Sequence, residues 1–428
     1  MGDQEAPDLT RMADQLSAQA ATVFQPRSPI TTKDLFAGRW SELTEISDAV
    51  VQPGLHVVIY GERGVGKTSL ANVVGPTIHA IDEYGDGLRG QTLADRLVVK
   101  TVANSGDTFS GLWRRLFAEV TWVPPAINGE DAERVSTTEF FSLPRELEID
   151  NVRRVLGETG GGVFIVDEFD QAPRSVSRQF TELIKTLSDL AVDCTVILVG
   201  VSETVGNLVQ DHASIQRAMA QVRLERMKPD ELEQILKNAE KALQIAFEQD
   251  AAKLIVRVSQ GLPHYTHLIG LNSVRSAAQR LSLSLVERDD VFEACRRAVK
   301  QAEQTVTESH STAIHSSQRS ALYRHVLLAC ALAAARSGDS LGYFNPSAVV
   351  VPLQRILQKP VTISTFNNHL REFCEEKRGS VLERDGQPWG FRYRFRNPLL
   401  VPYIFMDGVD AGVASGQELV TMLSGEWA

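Results

Sequence analysis

The 428-residue sequence is poor in cysteine. It has four, Cys194, Cys295, Cys330 and Cys374, and none forms a C-x-x-C pair. That spacing excludes a zinc ribbon and a disulfide framework, and reduced thiols of a cytoplasmic protein are the expectation. Long apolar runs are missing as well. None approaches the roughly 18–20 residues that span a bilayer, so no membrane association is expected. The opening "MGDQEAPDLTRMADQ" lacks the basic and apolar regions of a signal peptide, and position six lacks the Ser or Thr of a myristoylation signal. There is no basic excess: the formal net charge is −10. This argues against a surface coated throughout by nucleic acid, and leaves room only for a local basic patch. No G-x-S-x-G elbow, H-E-x-x-H pair, internal repeat or low-complexity segment occurs.

What is present is a chain with 43% hydrophobic residues, enough for two to four domains. Short β-branched runs alternate with amphipathic stretches between about 31 and 228. "LHVVIY" (55–60), "LVVKTV" (97–102), "VFIVDE" (163–168), "TVILVGV" (195–201) and "QVRLERM" (221–227) predict five buried parallel strands with helices on both faces. Beyond Met227 the pattern is helical, opened by Pro229. The expected organisation is an N-terminal arm (1–30), an α/β core (31–228), a helical lid (229–306), a linker (307–317), three helices and a hairpin in winged-helix order (318–408), and a loose tail (409–428).

Two motifs carry chemistry. "GERGVGKTS" gives Gly61, Glu62, Arg63, Gly64, Val65, Gly66, Lys67, Thr68 and Ser69, a complete phosphate-binding loop set between a strand and a helix. Its glycines let successive N–H groups point at phosphate oxygens, and the helix N-terminus adds favourable partial charge. Lys67 is expected to reach the β- and γ-phosphates of ATP, and Thr68 to hold Mg2+. "VFIVDEFD" follows a hundred residues later. Asp167 ends an apolar strand where it can meet the Mg2+ through water, and Glu168 is placed to polarise an attacking water. One strand lies between the two motifs in sequence, the order of P-loop ATPases with a catalytic glutamate.

On these residues the chain resembles AAA+ ATPases of the branch that holds replication initiators, transposition regulators and STAND-type signalling ATPases, over about 30 to 405. The resemblance implies an α/β P-loop core with a five-stranded parallel sheet, a helical lid and a C-terminal winged helix. It implies that "LFAGRWSEL" packs on adenine through Phe36 and Arg39. "ILVGVSE" resembles the end of the sensor strand, which puts Ser202 by the γ-phosphate; the competing reading is a helix or turn cap. "HASIQRAMAQVRLERM" resembles the segment whose arginine reaches a neighbouring subunit's ATP, and Arg217 matches it; the competing reading is a solvated arginine. In "SQGLPHYTHL" the initiators carry arginine where this chain has His264, whereas Gly261-Leu262-Pro263 fits the Gly-x-Pro of STAND proteins. Pro263 and His264 are thus candidate nucleotide contacts.

The C-terminal "FRYRFR" alternates aromatic and arginine, so a strand puts Phe391, Tyr393 and Phe395 on one face and Arg392, Arg394 and Arg396 on the other. Six basic residues against two acidic between Lys377 and Arg396 suit duplex DNA along residues 363–396, but Glu372, Glu375 and Glu376 oppose it. The resemblance therefore implies a homo-oligomeric, nucleotide-controlled switch acting on a protein client or effector, with defence signalling as the family analogy. The alternative is an initiator or transposition-regulator ATPase loading on duplex.

Overall fold

A computed structural model describes residues 5–32, 35–84, 96–123, 134–201, 215–316, 322–339, 341–387 and 390–424. The chain divides into two compact units, residues 29–225 and residues 1–28 with 226–428.

The first unit is built on five parallel strands: β1 (His56–Gly61), β2 (Val98–Val102), β3 (Gly162–Asp167), β4 (Cys194–Val201) and β5 (Met219–Leu224). Their order across the sheet is β2-β3-β4-β1-β5. In register, Val102 pairs with Asp167, and Gly61 pairs with both Val201 and Leu224. The strands' C-terminal ends are thus brought to one edge, where parallel sheets bind ligands. β3 is buried along its whole length, as the continuous apolar run requires. Val58, Phe164, Val166, Val196 and Leu198 join one apolar cluster with the helices Phe109–Ala118, Ile149–Glu158 and Arg174–Asp189. At its centre the Trp113 ring stacks on Phe180, with centroids 5.6 Å apart. Helices Trp40–Val50 and Lys67–Tyr84 pack against the sheet as well. β5 stops at Leu224, short of the expected Met227, whose N–H bonds Gly261 O in the second unit instead.

The second unit is helical apart from a hairpin and a short parallel pair, Ala246–Phe247 with Leu285–Val286. Helices Pro229–Leu243, Gln249–Ser259, Pro263–Gln279 and Arg288–Gln301 come first. The segment expected as a polar, weakly helical arm is a helix over Glu5–Val23, packed on two of them. Ala13, Leu16 and Ala20 form its buried stripe, and Phe24 is buried against Phe247 and His267. Gly270 makes room: a Cβ there would lie 2.6 Å from the Phe24 ring. The expected linker is likewise helical over Gln304–Ile314, because Val306, His310 and Ala313 fall on one buried face. The expected tail begins inside the buried helix Leu400–Asp410 and continues as Gly416–Ser424, with Leu419 and Met422 buried. Between them lie helices Tyr323–Ser337, Ser347–Leu357 and Ile363–Glu372, then the antiparallel strands β6 (Leu382–Asp385) and β7 (Arg392–Phe395), in the expected order. Tyr393 and Phe395 are buried, as the alternation predicts.

Each unit buries a histidine that is costly to charge. Burial lowers His56, at the start of β1, to about 4, and His267, with help from His264, also to about 4. Both values lie below the ordinary 6.5 of the unfolded chain. Between pH 6.5 and 4 the unfolded chain therefore binds more protons, so this stability is fully present above 6.5 and lost as pH falls toward 4. The first unit should lose about 1 kcal/mol by pH 5.5, or about 2–4 °C of melting midpoint relative to pH 7, and the second about twice that, because it also buries His310, likewise lowered to about 4. Calorimetry that finds identical midpoints at the two pH values would refute this.

Candidate functional site

The loop Gly61–Thr68 joins β1 to the helix beginning at Lys67. A Cβ on Gly61 would lie 2.3 Å from Leu224 O, so only glycine lets the chain leave β1 beside β5. Gly64 and Gly66 hold φ of 87° and 96°, the left-handed region glycine enters without strain. These conformations set the curl of the loop before any side chain acts. Arg39, buried and itself at φ 63°, braces it from below. Its guanidinium donates to Val65 O (3.5 Å), to Glu42 (2.9 Å) and to Glu225 O at the end of β5. The lead-in chain is fixed to the same helix, with Ile30 N donating to Ser69 Oγ at 3.1 Å. Phe36 is half-buried in that segment.

Lys67 lies over the loop, donating from Nζ to Gly61 O (3.0 Å) and Glu62 O (2.8 Å). Burial pushes its pKa down from the ordinary value, and the carboxylates of Asp170, Asp167 and Glu62 work against that. The P-loop lysine thus stands in the field of the residues that end and follow β3. Thr68, in the first turn of the helix, is half-buried.

Asp167 is 2% exposed at the end of β3. Its Oδ1 accepts from Glu168 N (2.9 Å), and its Oδ2 pairs with Lys100 Nζ (2.8 Å). Lys100 also donates to Asn72 Oδ1 at 2.6 Å, tying β2, β3 and the P-loop helix together. A buried carboxylate without such partners would carry a desolvation cost of several kcal/mol. Glu168 leaves the strand's course. At φ 52° and ψ 35° it begins a 3-10 turn over Phe169–Gln171, and its side chain is exposed. Asp170, in that turn, accepts from Val201 N (3.1 Å) at the end of β4.

Lys100, Asn72 and Asp170 were not singled out by sequence reasoning. Two of them leave a readable signal. Lys100 is the sole charge inside "LVVKTV", and Asp170 repeats an acid three residues after Asp167.

Of the remaining expected residues, Arg217 is exposed on a 3-10 turn, Ile215–Arg217, just before β5. Ser202 lies outside the described residues. In the second unit, Pro263 opens the helix Pro263–Gln279, and His264 Nδ1 donates to Pro26 O at 2.6 Å. Gly261 is demanded by crowding there, since a Cβ would lie 2.6 Å from Arg226 Cβ. Among the described residues, no group of three or more His, Cys, Asp or Glu could hold a metal ion by itself, and no helix is long and apolar enough to cross a membrane.

The sequence model of the family described as novel STAND NTPase 1 matches residues 28–269, more than half of the chain and all of the site in the first unit. The chain is similar to the ORC2 protein of Aeropyrum pernix, solved in ADPNP–ADP complexes, at 14% identity and a TM-score of 0.50, over 94% of this chain and 98% of that one. It is also similar to a Walker-type ATPase of Pyrococcus abyssi, at 16% identity and a TM-score of 0.51, over 89% and 99%. No curated protein matches. At such identities the solved structures speak for the fold alone: an α/β P-loop core followed by a helical C-terminal region. Together with the loop and carboxylates at one sheet edge, the match over 28–269 means that the chain belongs to the novel STAND NTPase 1 family.

Proposed function

We propose that this chain is an Mg2+-dependent ATPase whose nucleotide state governs self-assembly and thereby a protein client in the cytoplasm. The observation that carries the reading is the placement of the glycine-curled loop after β1 and of the buried Asp167 that ends β3 at the same C-terminal edge of one parallel sheet. In this reading Gly61 through Ser69 cradle the phosphates, Lys67 neutralises them, and Phe36 flanks the base, while Arg39, expected beside the base, braces the loop through Val65 O, Glu42 and Glu225 O. Thr68 and Asp167 would hold the Mg2+, which supplies charge neutralisation across the β- and γ-phosphates. The donor set suits it: Thr68 offers a hydroxyl, and each Asp167 oxygen keeps lone-pair capacity beyond the bond it makes to Glu168 N or Lys100 Nζ. Glu168 orients the attacking water. Ser202 is the proposed sensor of the γ-phosphate.

Arg217 completes the site from a neighbouring copy, and its exposure is what a residue acting in trans requires. An arginine supplied this way is worth about 10³–10⁵ in rate in the best-studied cases. Turnover per subunit should then climb with protein concentration and ignore added duplex DNA. Arg217→Ala should regain part of its activity when mixed with Lys67→Ala, because each supplies the half-site the other lacks. A concentration-independent rate without rescue sinks the shared site. A rate that rises only with duplex favours the DNA-loading alternative. A specific observation counts against that alternative: four of the six basic residues between Lys377 and Arg396 are already paired with carboxylates. The defence-signalling role remains an analogy with the family.

A further inference from the structure

We propose that the C-terminal unit carries a second anion site, a cavity between the helix Ile363–Glu372 and the β6–β7 hairpin that takes a compact oligophosphate-bearing small molecule. The cavity has a volume of about 510 Å³, within the range of small-molecule sites. Arg371, Arg384 and Arg396 line it with Cys374, and three acids, Glu375, Glu383 and Asp385, share the wall.

By formal charge the wall is balanced, but by partner it is not. Glu375 is paired with Lys377 (2.9 Å), Glu383 with Arg394, and Asp385 with Arg392 (2.8 Å), all cations outside the lining. Arg371, Arg384 and Arg396 have no carboxylate within ion-pair distance among the described residues; Arg384 only covers the Phe391 ring, 4.8 Å from its centroid. Arg371, Arg384 and Arg396 line this one cavity together with Cys374, so the three cations converge on it. Guanidinium groups match phosphate oxygens in bidentate pairs, and a ligand with two or more phosphates can engage several at once.

The same pairing decides between a compact anion and a duplex. Outside the cavity, Arg392 bridges Asp339 and Asp385, Arg378 meets Glu372 at 3.5 Å, and Lys377 and Arg394 are paired as above. An extended polyanion would meet neutralised cations and the acids that neutralise them. A compact one entering the cavity meets the three arginines.

Cys374 reports occupancy, because Cys194, Cys295 and Cys330 are buried while it is only half-buried. The test follows its alkylation by N-ethylmaleimide, using Lys67→Ala protein so that the P-loop does not compete for the probe. Inorganic pyrophosphate should slow alkylation saturably, by at least about fivefold, where sodium chloride at equal ionic strength does not. Arg384→Gln and Arg396→Gln should each raise the pyrophosphate concentration needed for half-protection by about tenfold or more. Thermal midpoints identify a variant that fails to fold, and Arg371→Gln, at an exposed helical position, then takes its place. Protection equalled by sodium chloride overturns the site. Protection by a 16-base-pair duplex but not by pyrophosphate also overturns it and assigns the arginines to nucleic acid.

Discussion

Replacing Lys67 with alanine should weaken ATP binding at least about a hundredfold. The lysine contributes charge-assisted hydrogen bonds to the β- and γ-phosphates, each worth about 1.5–3 kcal/mol, and two of them give that factor or more. The substitution leaves the rest of the loop intact. The curl is set by Gly61, Gly64 and Gly66, and Arg39 holds Val65 O whether or not the lysine is present. Lys67 itself contributes only two hydrogen bonds to loop carbonyls. Its loss also removes a cation from the field of Asp170 and Asp167, although Lys100 stays paired with Asp167, so the site becomes more repulsive to phosphate. Affinity for a fluorescent ATP analogue, with the melting midpoint as a folding control, measures the effect. Unchanged affinity in a folded variant would overturn the assignment of the loop.

The core is legible in the sequence because its signals are local. A fully buried parallel strand must be apolar throughout, and β1, β3 and β4 announce themselves that way. The P-loop is legible because glycine is the residue its backbone needs at Gly64 and Gly66. The polar helices are less so. Glu5–Val23 and Gln304–Ile314 carry only a thin stripe of small or apolar residues, and their order comes from the helices they pack on. Lys100 shows as the lone charge of its strand, but what it pairs with is hidden for a related reason. Its partner Asp167 lies on the neighbouring strand, and strand order is not written in any one segment. The basic run near the C-terminus misleads in the opposite direction. Composition counts Arg392 and Arg394 as available cations, whereas the fold pairs them with Asp339, Asp385 and Glu383.

Glu168→Gln should leave ATP affinity within about threefold and slow hydrolysis at least about tenfold, a loss of about 1.4 kcal/mol of transition-state stabilisation. The swap keeps the side chain's size and its hydrogen-bonding oxygen but removes the negative charge that polarises water. Its backbone setting should survive. The left-handed conformation is held by Glu168 N on Asp167 Oδ1 and by Gln171 N on Glu168 O, neither of which involves the substituted group. A non-glycine residue in that region costs about 1–2 kcal/mol, and it is here that the chain turns out of β3 to leave this carboxylate exposed. The rival base is Asp170, and the two differ in what else they do. Asp170 is the carboxylate that most strongly supports the Lys67 charge, and it holds Val201 N at the end of β4. Asp170→Asn should therefore weaken nucleotide binding together with turnover, whereas Glu168→Gln should change turnover alone. Single-turnover rates and nucleotide affinities for both variants separate the roles. Wild-type turnover in Glu168→Gln beside an inactive Asp170→Asn that still binds ATP would move the base from Glu168 to Asp170, and with it the reading of which acid in "DEFD" meets the water.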